Sequence, residues 1–297
     1  MSQSRAVAHG FFYWPKSGIA AVRENGSALL MRIAIVADIH GNLQALHAAL
    51  ARIETMRPDT IVVLGDVVVG SPDSLACWEL VKSLKCPVLR GNHERYVFDL
   101  GTERAPAEWN TPQFGPVQFA AKQLAAVRQE LAALPTFFRL TEAPDVLFVH
   151  GSLRSDTDLV FPYTSDAEIE PMFAGASERW LMRGHNHYAG VRLWGERRIV
   201  TVGSVGLPLD GTPAAQFSLL EWFGKDWSVQ QYAVPYDVDA AVRRFSESGY
   251  LDEAGPMARL FMREVETASL HIVPFLKWRK TFANVELAEA VQQFLRR

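Results

Sequence analysis

At 297 residues, with 48% hydrophobic and 21% charged, the chain can build one large domain or two small ones around a sizeable core, which excludes the disordered and fibrous classes. A formal net charge of −3 gives no strong nucleic-acid signal, and no run approaches the roughly 18 apolar residues that would span a bilayer. The two cysteines, Cys77 and Cys86, lie nine positions apart and imply neither a zinc knuckle nor a disulfide framework, which suits a reducing, cytoplasmic setting.

Residues 1–30 show no clean period, no contiguous apolar stretch of the export type and no convincing cleavage pattern, and Met31 then opens the sharply patterned "MRIAIVADIHGN". Two readings stand for this extension: Met31 is the true start, or the first thirty residues form an arm that packs on the domain. From Ile33 short apolar runs alternate with helical stretches. "IAIVA" reads as a strand, Leu43, Leu46, Leu50 and Ile53 form one stripe of a helix, "TIVVLGD" is a second strand, a helix follows near 74–84, and "PVLRGN" is a third strand. Such a βαβαβ start predicts a buried, largely parallel sheet with ligands at the strands' C-terminal ends.

The stretch 101–133 reads as helical or irregular, after which "DVLFVHGS" and "RWLMRGHNHY" each run as an apolar strand into histidine. Two antiparallel hairpins follow, turning at Gly195-Glu196 and at Gly224-Lys225-Asp226, so the second half predicts a further, mixed sheet. From about Pro235 the signal is helical to the end. Val285, Leu287, Ala288, Val291 and Leu295 mark a last amphipathic helix, and "KWRK" at 277–280 reads as a solvated face. The domain organisation expected is an extension at 1–30, a main domain at 31–235, and a helical extension at 236–297 packed on it.

The polar residues at the strand ends form a set: Asp38 and His40 in "ADIHGN", Asp66 in "LGDVVVG", Asn92 and His93 in "RGNHE", His150 in "FVHGS", and His185 and His187 in "RGHNHY". It holds five of the eight histidines, whereas His47 sits on a helix edge and His9 and His271 have no ligand company. Carboxylate, imidazole and amide donors without thiolate suit Mn²⁺, Fe, Zn²⁺, Co²⁺ or Ni²⁺. Seven potential ligands exceed one tetrahedral ion and suit two ions sharing a ligand. On extended segments, residues two apart point to one side, so His185 with His187, and Asp38 with His40, are expected to converge by strand alternation.

In order, "DIH", "GD", "GNHE", "VHG" and "GHNH" resemble the motif series of the calcineurin-like metallophosphoesterase superfamily, over roughly residues 31–235. "HGSLR" and "VGSVGLPLDG" are similar to its bacterial phosphodiesterase branch, which also contains diadenosine-polyphosphate hydrolases. The resemblance implies an α/β fold, an αββα four-layer sandwich of two mixed sheets with a dinuclear metal site at the strand ends. It also implies that Asp38, His40 and His187 hold one ion, that Asp66 bridges, and that Asn92, His150 and His185 hold the other. Mn²⁺ is the expected metal at both positions.

Such a centre lowers the pKa of a bound water from 15.7 towards about 7, so a bridging hydroxide can attack phosphorus without a protein nucleophile. His93 is the expected general acid for the leaving group. The protein-phosphatase branch places an acid three residues after the bridging aspartate to orient this histidine, and here that position is Val69; Asp73 or Glu94 could substitute, although Glu94 reads better as a support for backbone or ligands. Arg154, Arg90 and Arg183 are the candidate contacts for phosphate oxygens. Related phosphodiesterases often carry a polar or basic pair where "GLPLD" has Leu207 and Leu209. The partner expected is a small phosphoester, a cyclic nucleotide, dinucleoside polyphosphate or similar diester. A protein phosphatase or phosphomonoesterase and a non-catalytic metal-binding scaffold are the alternatives; oligomeric state is not assigned.

Overall fold

The computed structural model describes residues 31–281 and 285–297; both readings of residues 1–30 fall outside them. Strand β1 (Arg32–Val36) leads to helix α1 (Leu43–Met56), β2 (Thr60–Val63), α2 (Ser74–Ser83) and α3 (Asn92–Asp99). Helices α4 (Gly115–Gln123) and α5 (Arg128–Ala132) follow, then β3 (Phe137–Leu140), β4 (Ala143–Val149), α6 (Asp166–Met172) and β5 (Trp180–Arg183). The hairpin β6 (Gly190–Trp194) and β7 (Arg197–Thr201) precedes a second one, β8 (Ala214–Trp222) and β9 (Trp227–Pro235). The chain ends in α7 (Val238–Glu247), α8 (Tyr250–Glu253), α9 (Ala258–Thr267), α10 (Ile272–Arg279) and α11 (Leu287–Leu295).

Two mixed sheets result, ordered β2-β1-β8-β9 and β3-β4-β5-β7-β6. In the first, β1 runs parallel to β2 and antiparallel to β8; in the second, β4, β5 and β7 are parallel while β3 and β6 pair antiparallel at the edges. Alternation along β1 shows why its sequence is almost wholly apolar. Ile33 and Ile35 join Phe148, Met182 and Val200 of the other sheet in one cluster, while Ala34 and Val36 pack with Leu46, Ile53 and Trp78 of α1 and α2. The opposite side of the second sheet is covered by α6, where Leu147 and Leu181 meet Ile169 and Met172. A strand apolar on both faces has no solvated side, so its polar functions collect beyond its end.

One sequence expectation needs correction. "PVLRGN" is no full strand but a single bridge, Val63 to Val88, because helix α3 begins at Asn92 and leaves no room for a longer ladder. Residues 101–133 are helical and irregular as expected, with 3₁₀ turns at 107–110 and 112–114, then α4, a third 3₁₀ turn at 125–127, and α5. Both hairpins turn where Gly195 and Gly224 permit, each with positive φ. The last helix buries Leu287, Ala290 and Val291, and Lys277 and Lys280 of "KWRK" face solvent. No helix among the described residues is long and apolar enough to cross a membrane.

The C-terminal helices are fastened near the strand ends. Arg244 of α7 forks onto Asp73 at 2.6 and 3.2 Å, and the Tyr250 hydroxyl donates to the Gly70 carbonyl at 2.9 Å. Glu264 of α9, 2% exposed, accepts the backbone N–H groups of His271 and Ile272 at 2.7 and 2.8 Å and so closes the corner before α10. Burial raises its carboxyl to about 7. The folded chain therefore retains a proton that the unfolded chain releases from about pH 4.5, and stability falls as pH rises through that interval. Glu264→Gln should flatten this slope by on the order of 1–3 kcal/mol between pH 5 and 8, read as the difference in urea unfolding free energy between variant and wild type; parallel profiles would refute the assignment.

Candidate metal centre

The residues after β1, β2 and β5 leave the extended conformation at once. Asp38, His40, Asp66, His185 and His187 all have positive φ, between 52° and 68°, a region costly for residues with a Cβ. Strand alternation therefore does not bring these pairs together, contrary to the sequence expectation. They converge because the two loops hold each other: Asp38 N–H donates to the Gly65 carbonyl at 3.1 Å, His40 N–H to Asp66 at 2.9 Å, and Gly41 N–H to Val67 at 2.9 Å. His185 N–H in turn donates to the Asp38 carboxylate at 3.0 Å.

The imidazoles are oriented from behind by main-chain carbonyls. Nδ1 of His40 donates to Val69 at 2.9 Å, Nδ1 of His150 to Leu64 at 2.7 Å, and Nδ1 of His187 to Leu207 at 2.6 Å. With the Nδ1 proton so placed, each Nε2 carries a lone pair into the centre. Nε2 of His40 and His187 face each other at 3.1 Å, and Nε2 of His150 faces the Asn92 side-chain oxygen at 3.1 Å. Acceptors opposed at this distance repel unless a cation or a proton lies between them. Asp38 Oδ1 is 3.4 Å from His187 Nε2, while Asp66 Oδ2 is 3.3 Å from His150 Nε2 and 3.8 Å from His40 Nε2. Asp38, His40 and His187 form one metal-competent group, Asp66, His150 and His185 a second, and His40, Asp66 and His93 a third that overlaps both.

The protonation pattern describes the same demand. Burial pushes Asp38 up to about 8, with the Asp66 charge adding to it against the pull of His150. Burial would also raise Asp66, yet the imidazoles of His150, His93 and His40 hold it well below the usual carboxylate range. Burial disfavours charge on His150 too, but Asp66 and Asp38 carry it to about 9, whereas burial takes His187 to about 4 and, with His150, His185 to about 2. His40 is lowered by burial and by His93. Carboxylates and imidazoles buried together thus shift one another's protonation strongly, the demand that divalent cations on oxygen and nitrogen donors would meet. The donor set fits the metals that the sequence implies.

Residues 31–222 match the calcineurin-like phosphoesterase superfamily domain, and the centre occupies the loops of that span. The chain belongs to this superfamily. An uncharacterized protein of Methanocaldococcus jannaschii is 26% identical over 77% of this chain and 97% of its own. A symmetrical bis(5′-nucleosyl)-tetraphosphatase of Vibrio vulnificus is 28% identical over 50% of this chain and 54% of its own. A hypothetical protein of Pyrococcus horikoshii has the same fold, with a TM-score of 0.67 at 19% identity over 81% of this chain and all of the other. A Sphaerobacter thermophilus metallophosphoesterase gives 0.62 at 24% identity, over 80% and 98%.

Among the superfamily motif residues, Glu94 does not face the centre. It is 0% exposed, and its carboxylate accepts the backbone N–H groups of Gly91 and Val67 at 2.7 Å and of Asp66 at 2.8 Å. Glycine is required at 91, where a Cβ would stand 2.2 Å from Asp66 Oδ1. His93 N–H donates to that same oxygen at 2.8 Å, and His93 Nε2 lies 4.0 Å from Asp66 Oδ2. Its Nδ1 is buried with no hydrogen-bond partner among the described residues. Neither proposed substitute for the acid missing at Val69 reaches it, because Glu94 is committed to backbone and Asp73 to Arg244.

The arginines separate. Arg183 is not available to substrate: it is 0% exposed and donates to the carbonyls of Gly151 and Asp158 and the side chains of Asn186 and Thr201. Arg90 and Arg154 instead line a cavity of about 370 Å³ that opens on His150. Arg154 is forked onto Asp158 at 2.7 and 3.0 Å, whereas Arg90 lies over Phe98 at 5.2 Å with its Nε unpartnered. No residue type announces the carbonyls of Val69, Leu64 and Leu207, since a main-chain acceptor leaves no trace in side-chain identity.

Removing the Glu94 carboxylate would strand several buried N–H groups at once. Glu94→Ala should destabilise the fold by about 2–5 kcal/mol, measured as a shift in denaturant unfolding free energy. A loss under about 0.5 kcal/mol would contradict this bracing role.

Proposed function

We propose that this chain is a two-metal phosphodiesterase of the superfamily's bacterial branch, acting in the cytoplasm on small nucleotide-like esters. In this reading residues 31–235 form the catalytic αββα four-layer unit, residues 236–297 are a helical extension packed on it, and the dinuclear site lies at the strand ends. One observation carries it: Asp66 stands within 4 Å of imidazoles from both ligand groups, where a bridging carboxylate would have to be. Two divalent ions bound there, Mn²⁺ in our reading, would polarise the phosphoryl group and activate water for in-line attack.

The chain's own residues supply the rest. Asp38, His40 and His187 would hold one ion, and Asn92, His150 and His185 the other, with Asp66 shared. Arg90 is the guanidinium most ready to meet a phosphate oxygen, since Arg154 would first have to leave Asp158. His93 is the proton donor to the departing oxygen. Burial lowers its pKa as it stands, and the negative charge of a bound ester favours its protonated form. The name of the Vibrio vulnificus relative supports dinucleoside polyphosphates among the substrates to test.

After Mn²⁺ loading, elemental analysis should find about two metals per chain, and Asp66→Asn should lower that number. His93→Ala should keep both metals and lose about 10²–10⁴ in kcat. Equal metal loss in both variants would contradict the roles assigned. Turnover should extend to bis-aryl phosphate, cyclic nucleotides or dinucleoside polyphosphates; activity on a phosphopeptide alone would replace the diesterase reading by a protein phosphatase, and fewer than about two metals with no turnover would leave a binding scaffold.

A further inference from the structure

A cavity of about 500 Å³ adjoins the histidine loop, walled in part by Phe161, Tyr163, Tyr188, Val191 and Leu270. Tyr163, Val191 and Leu270 are 82%, 42% and 40% exposed, so apolar surface is held open to solvent here. The wall is fastened to the metal-ligand loop. Asn186, the residue between His185 and His187, accepts the Val160 N–H at 3.2 Å and donates back to the Val160 carbonyl, while Arg183 donates to the same Asn186 oxygen at 2.7 Å. Tyr188 follows His187 directly, one Cα step of about 3.8 Å away.

The rings are arranged as a platform. Phe161 and Tyr163 are parallel within 6° at a centroid distance of 5.3 Å, and Tyr188 meets Phe161 edge-on at 6.4 Å and 61°. Phe161 is half-buried beneath the exposed Tyr163, which presents its other face outward. Of the polar groups of the wall, Thr201 Oγ1 accepts from Arg183 at 3.1 Å, and Arg192 donates to the Thr164 carbonyl at 3.0 Å and to Asp166 at 2.6 Å, which leaves the Tyr163 and Tyr188 hydroxyls. A ligand entering this space therefore meets mainly ring faces and apolar area, with two phenol hydroxyls at the rings' ends. Planar heteroaromatic rings gain most from such a surface.

We infer that this cavity is the subsite for the nucleobase of an ester whose phosphorus lies at the metal centre, with Tyr163 on Phe161 as stacking platform and Tyr188 as its edge wall. The inference rests on the phosphoesterase reading. It narrows the substrate class to nucleoside esters and predicts little discrimination between adenine and guanine, since stacking tolerates any base with a π-face.

Tyr163 is exposed, so Tyr163→Ala should fold normally and isolate the platform. Adenosine, which carries no phosphate, should give saturation-transfer NMR signals with the wild type that the variant loses. On adenosine 5′-(p-nitrophenyl phosphate) the metal-loaded variant should lose about 5–100-fold in kcat/KM, mainly through KM, and change less than about 2-fold on methyl p-nitrophenyl phosphate, which shares the leaving group. Unchanged adenosine signals, or equal losses on both esters, would overturn the subsite. So would a shift of Tyr163→Ala to a smaller species on gel filtration without any adenosine binding, since the surface would then be an interface between copies. Adenosine binding that depends on Tyr163, in a protein that turns over no ester, would support the base pocket and sink the phosphoesterase reading alone.

Discussion

The Glu94 carboxylate determines where Asp66 can be. It draws together the N–H groups of Gly91, Asp66 and Val67, and so ties the first turn of α3 to the loop after β2. A buried carboxylate is unfavourable unless several donors meet it, and here they are main-chain groups that have no other partner in a tight loop. With the loop fixed from behind, the Asp66 side chain turns inward. One of its oxygens takes the His93 N–H and the other is left towards His40 and His150. The position of the Asp66 carboxylate is therefore a property of one buried acid that never faces the site.

Electrostatics explains why the backbone tolerates its strained residues. Asp38 and Asp66 are both fully buried, and their mutual repulsion cannot be relieved by solvent. The fold brings imidazole lone pairs to the same place, each aimed by a carbonyl behind it. Left-handed backbone at Asp38, His40, Asp66, His185 and His187 is what allows two residues of one short loop to reach a common centre without a strand to space them. Each such residue costs on the order of 1–3 kcal/mol, a strain stable only because the paired loops leave no alternative path for the chain. Cation binding would offset the opposed charges and lone pairs together.

The sequence made the candidate ligands legible because the donor types are rare and each stands at the end of an apolar run. Asp38, His40, Asp66, Asn92, His150, His185 and His187 could be collected with no knowledge of how the chain turns between them. The geometry was less legible, and strand alternation was the wrong reason for a convergence that positive φ produces. The helix that starts at Asn92 was hidden because its N-cap is Gly91, whose side chain cannot signal a helix start. Arg183 misled for another reason: charge suggested solvent and substrate, yet its guanidinium is buried as a knot for the loops around Gly151, Asp158 and Asn186. Residue type records what a side chain can bind, and burial decides whether it is free to do so.

The C-terminal helices bear unequally on the two ligand groups. Leu207 orients His187 with its carbonyl, while its side chain packs among Ala241, Phe245 and Val265 of α7 and α9. Tyr250 of α8 holds the Gly70 carbonyl, and a Cβ at Gly70 would stand 3.1 Å from His40 Cβ, so that turn lies directly against the second imidazole of the same group. His150 and Asn92 depend instead on the Leu64 carbonyl and on the start of α3, both inside the β2 region of the core. Packing of the extension therefore acts on the group of Asp38, His40 and His187. In the other group His150 and Asn92 are held from within the core, so the terminal helices bear more directly on His187 and His40.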